Sequence, residues 1–519
     1  LALIPEKFKP RKVFEGFSKE DFLFILFLLG YVVILLQNIN LDFWNDEIYT
    51  LKNFVFVPIA QTLTDYHVPN NHVLFNLVNN IYLKIIGIQS LYELMDKPYL
   101  LRLLPLFYCL LTLDYVYAIG KDFFNKKIGL LAGVILMTTI PYFNFALQIR
   151  GYGVSMALLS IIFYYGLQYI HQKNKLALFK VTITTAAVVY AIPLNLYFLL
   201  GFWVYGLVHL ITKFPVRDLF KRRILNKLRH DRFFPLMLSI SIGVLIALLL
   251  YYPVFKEVFF NDYVKTYTPF WVGSAIGVII RDFLSFRFLL ILLLFIGAIL
   301  SYSYIQKTPK KKLDFWLLLT LFFFPFFISF ARGDHAPARA FVNLAPFYAL
   351  FLAKLIYEAL KAIPRLQKFR LGVLVTVLVY CFFSFLWERR SIDHKMLSYL
   401  KSGQKEQGLY YSYYMNHFRP LEVTRSFLAN YFDHSSIILL KDCDGHGFTN
   451  YLDKFHISYQ YFNLKELDPL LSSGNNIFVI TSFPNQLHEL IKKEYPDVKS
   501  KLVSEPLSYN NFVLLKRGK

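Results

Sequence analysis

Residues 22–36 read FLFILFLLGYVVILL, and this run decides the fold. Between Phe22 and Leu36 there is no charge, so the segment has no polar face of the kind a surface helix needs. With its flanks it covers about 18 positions, which at 1.5 Å per residue nearly matches a hydrocarbon core of roughly 30 Å. Comparable runs recur at Ile128–Leu147, Phe234–Tyr251, Phe288–Tyr302 and Leu371–Trp387. The 519-residue chain is 56% hydrophobic and 18% aromatic, with only 17% charged residues. Soluble chains carry about a quarter charged residues, so a soluble fold is excluded. The expected fold class is a polytopic α-helical membrane protein of about eleven spans. They fall at 21–38, 101–119, 128–147, 152–170, 179–192, 195–212, 234–252, 283–304, 314–330, 338–358 and 371–387, with 179–212 also readable as one bent segment. Tyr251, Tyr252 and Trp271 cluster at segment ends, where amphipathic rings suit the interface.

The formal charge of +22 would suit a nucleic-acid binder, but its distribution does not. Basic residues come in short bursts between apolar runs: Lys121, Lys126 and Lys127; Lys221, Arg222 and Arg223; Lys310, Lys311 and Lys312. That is the positive-inside pattern, and it leaves no nucleic-acid partner. With the N-terminal lysines inside, Lys and Arg near the spans fall inside about three times as often as outside. The loop 39–100 and everything after 388 then lie outside the cytoplasm, which suits a bacterial inner membrane. The N-terminus lacks a cleavable signal pattern, so the first apolar segment is expected to serve as an anchor. Cys109, Cys381 and Cys443 have no paired or metal-ligand spacing and read as small hydrophobes.

Two domains are expected: a membrane domain over 1–387, with interfacial helices in its 39–100 loop, and a C-terminal α/β domain over 388–519. In the latter, helical patterns at Pro420–Phe432, Phe448–Phe455 and Pro484–Tyr495 alternate with strand-like runs at Ile437–Leu440, Ile457–Phe462 and Ile477–Thr481. A hairpin pairing 501–504 with 512–515 closes it. Alternation of this kind predicts a small parallel or mixed sheet.

Polar residues in so apolar a chain mark function, and they gather in the outer loops. Trp44-Asn45-Asp46-Glu47 supplies adjacent acids, either of which could serve as general base or metal ligand. If the stretch is helical the two point about 100° apart, leaving one for chemistry and one to cap or pair. His67 and His72 follow, five apart, which is off the spacing for two ligands on one helical face. The segment 76–88 is amphipathic and reads as a helix along the interface. Further along come Arg150-Gly151-Tyr152 and the run Arg332-Gly333-Asp334-His335-Ala336-Pro337-Ala338-Arg339. A helix starting near Pro337 would put Arg339 in its first turn, where a phosphate also meets free N–H groups.

In order along residues 20–360, these pieces resemble the GT-C class of polytopic glycosyltransferases that use polyprenyl-phosphate sugars, including protein O-mannosyltransferases and aminoarabinose transferases of lipid A. Asp46-Glu47 stands where that family has its acid pair after the first span. His67-Val68-Pro69-Asn70-Asn71-His72 is similar to its His-Pro-Pro loop, with Asn70 in place of the second proline. Leu101-Arg102-Leu103-Leu104-Pro105 resembles the opening of its second span. Arg150-Gly151-Tyr152 is similar to its R-x-Y junction, with Gln148 near the place where many members carry an acid. Pro337-Ala338-Arg339 through Pro346 resembles its R-Y-L-x-P span.

The resemblance implies an inverting transfer of sugar from a polyprenyl-phosphate donor to a protein, glycan or lipid acceptor. It implies Asp46 as base with Glu47 in support, and Arg150, Arg339 and Arg332 on the donor phosphate. His67, Asn70, His72, Tyr152, Asp334 and His335 would orient the substrates. No cofactor is implied, although the acid pair admits a divalent metal. A flippase or transporter for lipid-linked saccharides is the alternative, yet such proteins show internal repeats and mid-membrane charges that this sequence lacks. A non-catalytic scaffold presenting the C-terminal domain is the third reading.

Overall fold

On the helix Phe234–Leu250, the outward residues Leu238, Ile242, Leu245 and Leu249 are 51%, 44%, 56% and 66% exposed. A soluble helix puts charge on that face, so the medium facing this one is lipid. Residues 17–69, 71–214, 228–260, 309–332, 338–362, 370–402, 420–441, 445–481, 483–503 and 511–517 are described by this computed structural model.

The membrane part contains α1 (Lys19–Leu36), α2 (Asn45–Thr50), α3 (Ile59–Thr64), α4 (Val73–Ile85), α5 (Leu91–Asp96), α6 (Tyr99–Ile119), α7 (Lys126–Met137), α8 (Ile140–Phe145) and α9 (Tyr152–Gln172). There follow α10 (Lys175–Ala191), α11 (Leu196–Lys213), α12 (Phe234–Leu250), α13 (Phe255–Phe259), α14 (Pro309–Arg332), α15 (Ala345–Ala362) and α16 (Arg370–Ser402). Five helical stretches among the described residues are long and apolar enough to cross a membrane, or six if the pair Phe234–Leu250 and Tyr252–Phe259, bent by 60°, is one span. The expected span at 283–304 lies outside the described residues.

Three of the expected spans differ in form. The run 128–147 is not continuous: α7 stops at Met137 and α8 restarts at Ile140. Thr138 and Thr139 turn their hydroxyls back onto the carbonyls of Val134 and Ile135, and Pro141 cannot donate a backbone bond, so the ladder breaks between them. The span at 338–358 begins as a 3-10 helix, Ala338–Leu344, before α15. The last, expected at 371–387, continues to Ser402 as α16. The segment 179–212 is two helices, α10 and α11, joined by a 3-10 turn at Pro193–Asn195.

The described residues cluster into two units. The first draws on Leu1–Leu35, Leu63–Phe75 and Leu104–Leu386; the second on Leu36–Thr62, Asn76–Leu103 and Trp387–Lys519. Inside the first, α10 packs between α9 and α12, α7 lies on α15, and α11 lies on α14. One asparagine ties three of its elements. Asn195 donates to the Ser155 hydroxyl on α9 (2.9 Å) and the Val188 carbonyl on α10 (2.8 Å), and its own oxygen accepts from Asn343 (2.8 Å). All three side-chain bonds are buried in an apolar interior, where leaving them unmade is costly.

The second unit combines most of the long loop with the C-terminal domain. In the loop, α4 runs three residues ahead of the expected 76–88, and its polar face turns inward. Asn76, Asn79 and Asn80 are buried while Ile81 and Ile85 face out. Asn80 donates to the Val57 carbonyl (2.8 Å) and the Thr62 hydroxyl (3.1 Å), so its amide fastens the loop and the apolar edge is left for the interface.

The C-terminal domain carries α17 (Pro420–Asn430), β1 (Ile437–Leu440), α18 (Gly445–Lys454), β2 (Gln460–Tyr461), α19 (Leu467–Ser472), β3 (Ile477–Thr481), α20 (Pro484–Glu494), β4 (Val498–Leu502) and β5 (Asn511–Arg517). The sheet order is β2-β1-β3-β5-β4. β1 runs parallel to β2 and β3, and β5 is antiparallel to β3 and β4, so the sheet is mixed. Every residue of β3 is buried, as a central strand covered on both faces requires.

His488 on α20 packs against Ser500 of β4, and burial lowers its pKa below the ordinary 6.5. The unfolded chain therefore binds the proton more readily than the folded one. This contribution to stability is complete above pH 6.5 and is lost as the pH falls below it. Hydrogen exchange at β3, corrected for intrinsic rates, is expected to show weaker protection at pH 5 than at pH 7, and His488→Gln to flatten that dependence.

Candidate active site

In the second unit the site begins with Arg102. Its side chain is 2% exposed at the head of α6, and it converges on one short segment. Nη1 and Nη2 donate to the two carboxylate oxygens of Glu47, each at 3.1 Å. Nε and Nη2 reach the Leu41 carbonyl at 3.1 and 3.0 Å, and Nη2 also reaches that of Asp42 at 2.9 Å. The guanidinium lies over the Phe43 ring, 5.3 Å from its centroid. A planar fork with five donors can hold a carboxylate in bidentate fashion and still bind backbone carbonyls; a lysine could not.

Glu47 is 0% exposed and also accepts from the Trp44 backbone N–H at 3.2 Å, closing the first turn of α2. Asp46 is its neighbour on a helix and points elsewhere, half-buried. The two acids have thus parted as helical geometry requires: Glu47 is bound into the fold. No group of three His, Cys, Asp or Glu able to hold a metal exists among the described residues, and both Glu47 oxygens face the guanidinium.

The C-terminal domain meets the same segment. The buried Tyr451 hydroxyl on α18 donates to the Phe43 carbonyl (2.9 Å), and the Leu421 N–H of α17 donates to the Asp42 carboxylate (2.7 Å). Next to them, Asp96 at the end of α5 takes Lys454 at 2.7 Å and Arg425 at 3.0 Å.

The first unit holds the remaining candidates. His72 is buried, and its Nδ1 accepts from the Gly151 N–H at 2.8 Å, which fixes Nε2 as the protonated nitrogen of a neutral ring. The same ring meets Tyr152 edge-on, with centroids 5.3 Å apart, and Phe145 meets Tyr152 at 5.1 Å. Arg150 is 3% exposed, its guanidinium 5.9 Å from the Tyr152 ring centre. Gly151 has no room for a methyl group: a Cβ there would lie 2.9 Å from the His72 Cβ and Cγ. Leading into Arg150, Asn144 Nδ2 and Gln148 Oε1 are buried with no hydrogen-bond partner among the described residues.

Of the other expected residues, His67 is about half exposed and paired with Asp65, and the Asn71 side chain donates to the Asp65 carbonyl at 2.7 Å. Arg339 stands in the first turn of the 3-10 helix Ala338–Leu344, which packs on α8 and α9. The Asn343–Asn195–Ser155 bonds fasten that helix to the first turn of α9, just after Arg150. Arg332 is the last residue of α14. Asn70, Asp334 and His335 lie outside the described residues. His72, Arg150 and Tyr152 are thus brought together, and Asp46 with Glu47. His67 is held apart from His72, facing solvent.

Arg102 and Asn195 have structural weight that sequence reading passed over. Arg102 appeared only as one letter of a span opening, although an arginine entering an apolar run needs an acid, and Glu47 was on offer. Asn195, alone in an apolar run, carried the same signal.

No protein-family model and no curated protein sequence matches the chain. Among solved structures it is similar to ArnT from Cupriavidus metallidurans in the apo state, with a TM-score of 0.52 and 12% identity over 95% of this chain and 98% of that one. It is equally similar to ArnT from Cupriavidus metallidurans bound to undecaprenyl phosphate, with a TM-score of 0.52 and 10% identity over 96% of this chain and 98% of that one. The likeness takes in membrane helices and C-terminal domain alike. The chain has the ArnT fold, the GT-C-like architecture that the motif order implied.

Two substitutions check this geometry. Arg102→Met leaves a buried carboxylate and two carbonyls without their donor, and should destabilise the folded protein by about 3–5 kcal/mol, read as thermal unfolding in detergent. Gly151→Ala forces its methyl against His72, and overpacking of that kind costs about 1–3 kcal/mol in the same measurement.

Proposed function

We propose that this chain is an integral membrane glycosyltransferase that moves a sugar from a polyprenyl-phosphate donor to an acceptor at the outer membrane face. The observation that carries the reading is the full-length likeness to ArnT, one structure of which is bound to undecaprenyl phosphate. The site residues add chemical support. Asp46 is a half-buried carboxylate on a helix held in place by Glu47 and Arg102, and buried Arg150 sits beside His72 and Tyr152.

The reaction needs little machinery. The acceptor oxygen attacks the anomeric carbon from the face opposite the phosphate, the C–O bond to phosphate breaks, and its electron pair leaves on the phosphate oxygen. Asp46 takes the acceptor proton. The leaving phosphate is already a stable anion, so no general acid is required, unlike the paired carboxylates of glycoside hydrolysis. Arg150 and Arg339, with Arg332, offset its charge. His67, Asn70, His72, Tyr152, Asp334 and His335 orient sugar and acceptor. About eleven spans, an inner-membrane location and an external C-terminal domain complete the proposal.

Binding of undecaprenyl phosphate to the purified protein tests the donor side. Arg150→Gln should weaken it at least ten-fold, and equal affinity of variant and wild type would contradict the assignment. For the base, Asp46→Asn should lower turnover by about 10²–10⁴-fold with normal membrane expression if the acceptor is a hydroxyl. A phosphate acceptor is already ionised, so a mild loss in Asp46→Asn together with dependence on Arg150 would identify that acceptor class instead.

A further inference from the structure

We infer that the C-terminal α/β domain is a working part of the catalytic apparatus, and that Tyr451 and Asp42 are positioning residues which fix the segment presenting Asp46. The inference rests on the glycosyltransferase reading above.

The segment from Leu41 to Glu47 is held from two directions. From one, Arg102 takes the carbonyls of Leu41 and Asp42 and the Glu47 carboxylate. From the other, the Tyr451 hydroxyl donates to the next carbonyl, that of Phe43, at 2.9 Å, while the Leu421 N–H anchors the Asp42 side chain at 2.7 Å. Three consecutive carbonyls just ahead of α2 are therefore bonded to side chains. The stretch leads into a helical run of eleven residues, α2 continued by a π-helical turn at Leu51–Val55, and so short a run is marginal without tertiary support. Its orientation must be imposed from outside.

Tyr451 suits this role. Its ring is 1% exposed, and burial raises its pKa well above the usual phenol value, so it remains an O–H donor at any physiological pH. Helix α18, which carries it, packs on α2 itself. Lys454, one turn further along α18, reaches Asp96 and the Tyr92 carbonyl at 2.7 Å each. Arg425 of α17 meets Asp96 from its own side. Two helices of the domain thus grip the loop at two places, and one of those places is the segment three and four residues ahead of Asp46, at the Phe43 carbonyl and the Asp42 carboxylate. A domain serving only as a solubilising cap would need no bond to that backbone.

A shift of about 1 Å in a reacting group can cost a hundred-fold in rate. In the full-length enzyme turning over a polyprenyl-phosphate sugar, Tyr451→Phe should lower kcat about ten-fold or more, with the donor KM and the thermal midpoint nearly unchanged. Asp42→Ala should do the same, and Asp42→Asn, which retains an acceptor oxygen for the Leu421 N–H, should recover most of the loss. If Tyr451→Phe fails to fold, the Asp42 pair decides the matter. A kcat within two-fold of wild type per folded molecule for both Tyr451→Phe and Asp42→Ala would overturn the inference. Absence of turnover by the wild type with every donor and acceptor would instead overturn the functional reading beneath it, and this inference with it.

Discussion

The buried pair between Arg102 and Glu47 is the constraint on which the candidate site depends. Two opposite charges with almost no exposure are expensive to bury, and the expense is offset only by near-complete hydrogen bonding. Here the guanidinium meets both carboxylate oxygens and two backbone carbonyls, so its position allows one path for residues 41–47. The pair binds the start of the second span to the helix that follows the first. It also removes Glu47 from the surface and binds it into the fold.

The membrane unit shows the same economy of polar groups. Asn195 joins α9, α10 and the 3-10 helix that bears Arg339, and His72 is joined to the R-G-Y junction through the Gly151 N–H. In an apolar interior such bonds have no competition from water, so a few of them determine how helices meet. The elements that carry Arg150 and Arg339 are therefore set by two hydrogen-bonded residues, Asn195 and His72.

Much of this was legible in the sequence. In the C-terminal residues β1 and β3 fall where the apolar runs placed them, at 437–440 and 477–481, whereas β2 keeps only Gln460–Tyr461 of the expected 457–462 and β4 lies at Val498–Leu502 rather than 501–504. Most membrane helices were equally plain. The failures have physical causes: hydropathy cannot see the break at Thr138 and Thr139, since threonine is apolar enough to continue a span while its hydroxyl competes for the backbone. Nor could amphipathicity tell which face of α4 turns inward, because Asn76, Asn79 and Asn80 are buried rather than turned to solvent. In the site, the divergence of Asp46 from Glu47 followed from helical geometry alone. The partner of Glu47 did not, because Arg102 lies 55 positions away in the chain and only the fold makes them neighbours.

The proposed function rests on the donor. Purified protein incubated with a panel of polyprenyl-phosphate sugars and candidate acceptors should release free polyprenyl phosphate with at least one of them, in step with sugar appearing on the acceptor. Movement of an intact lipid-linked saccharide across a bilayer, with its sugar–phosphate bond unbroken and no polyprenyl phosphate released from any donor, would contradict it.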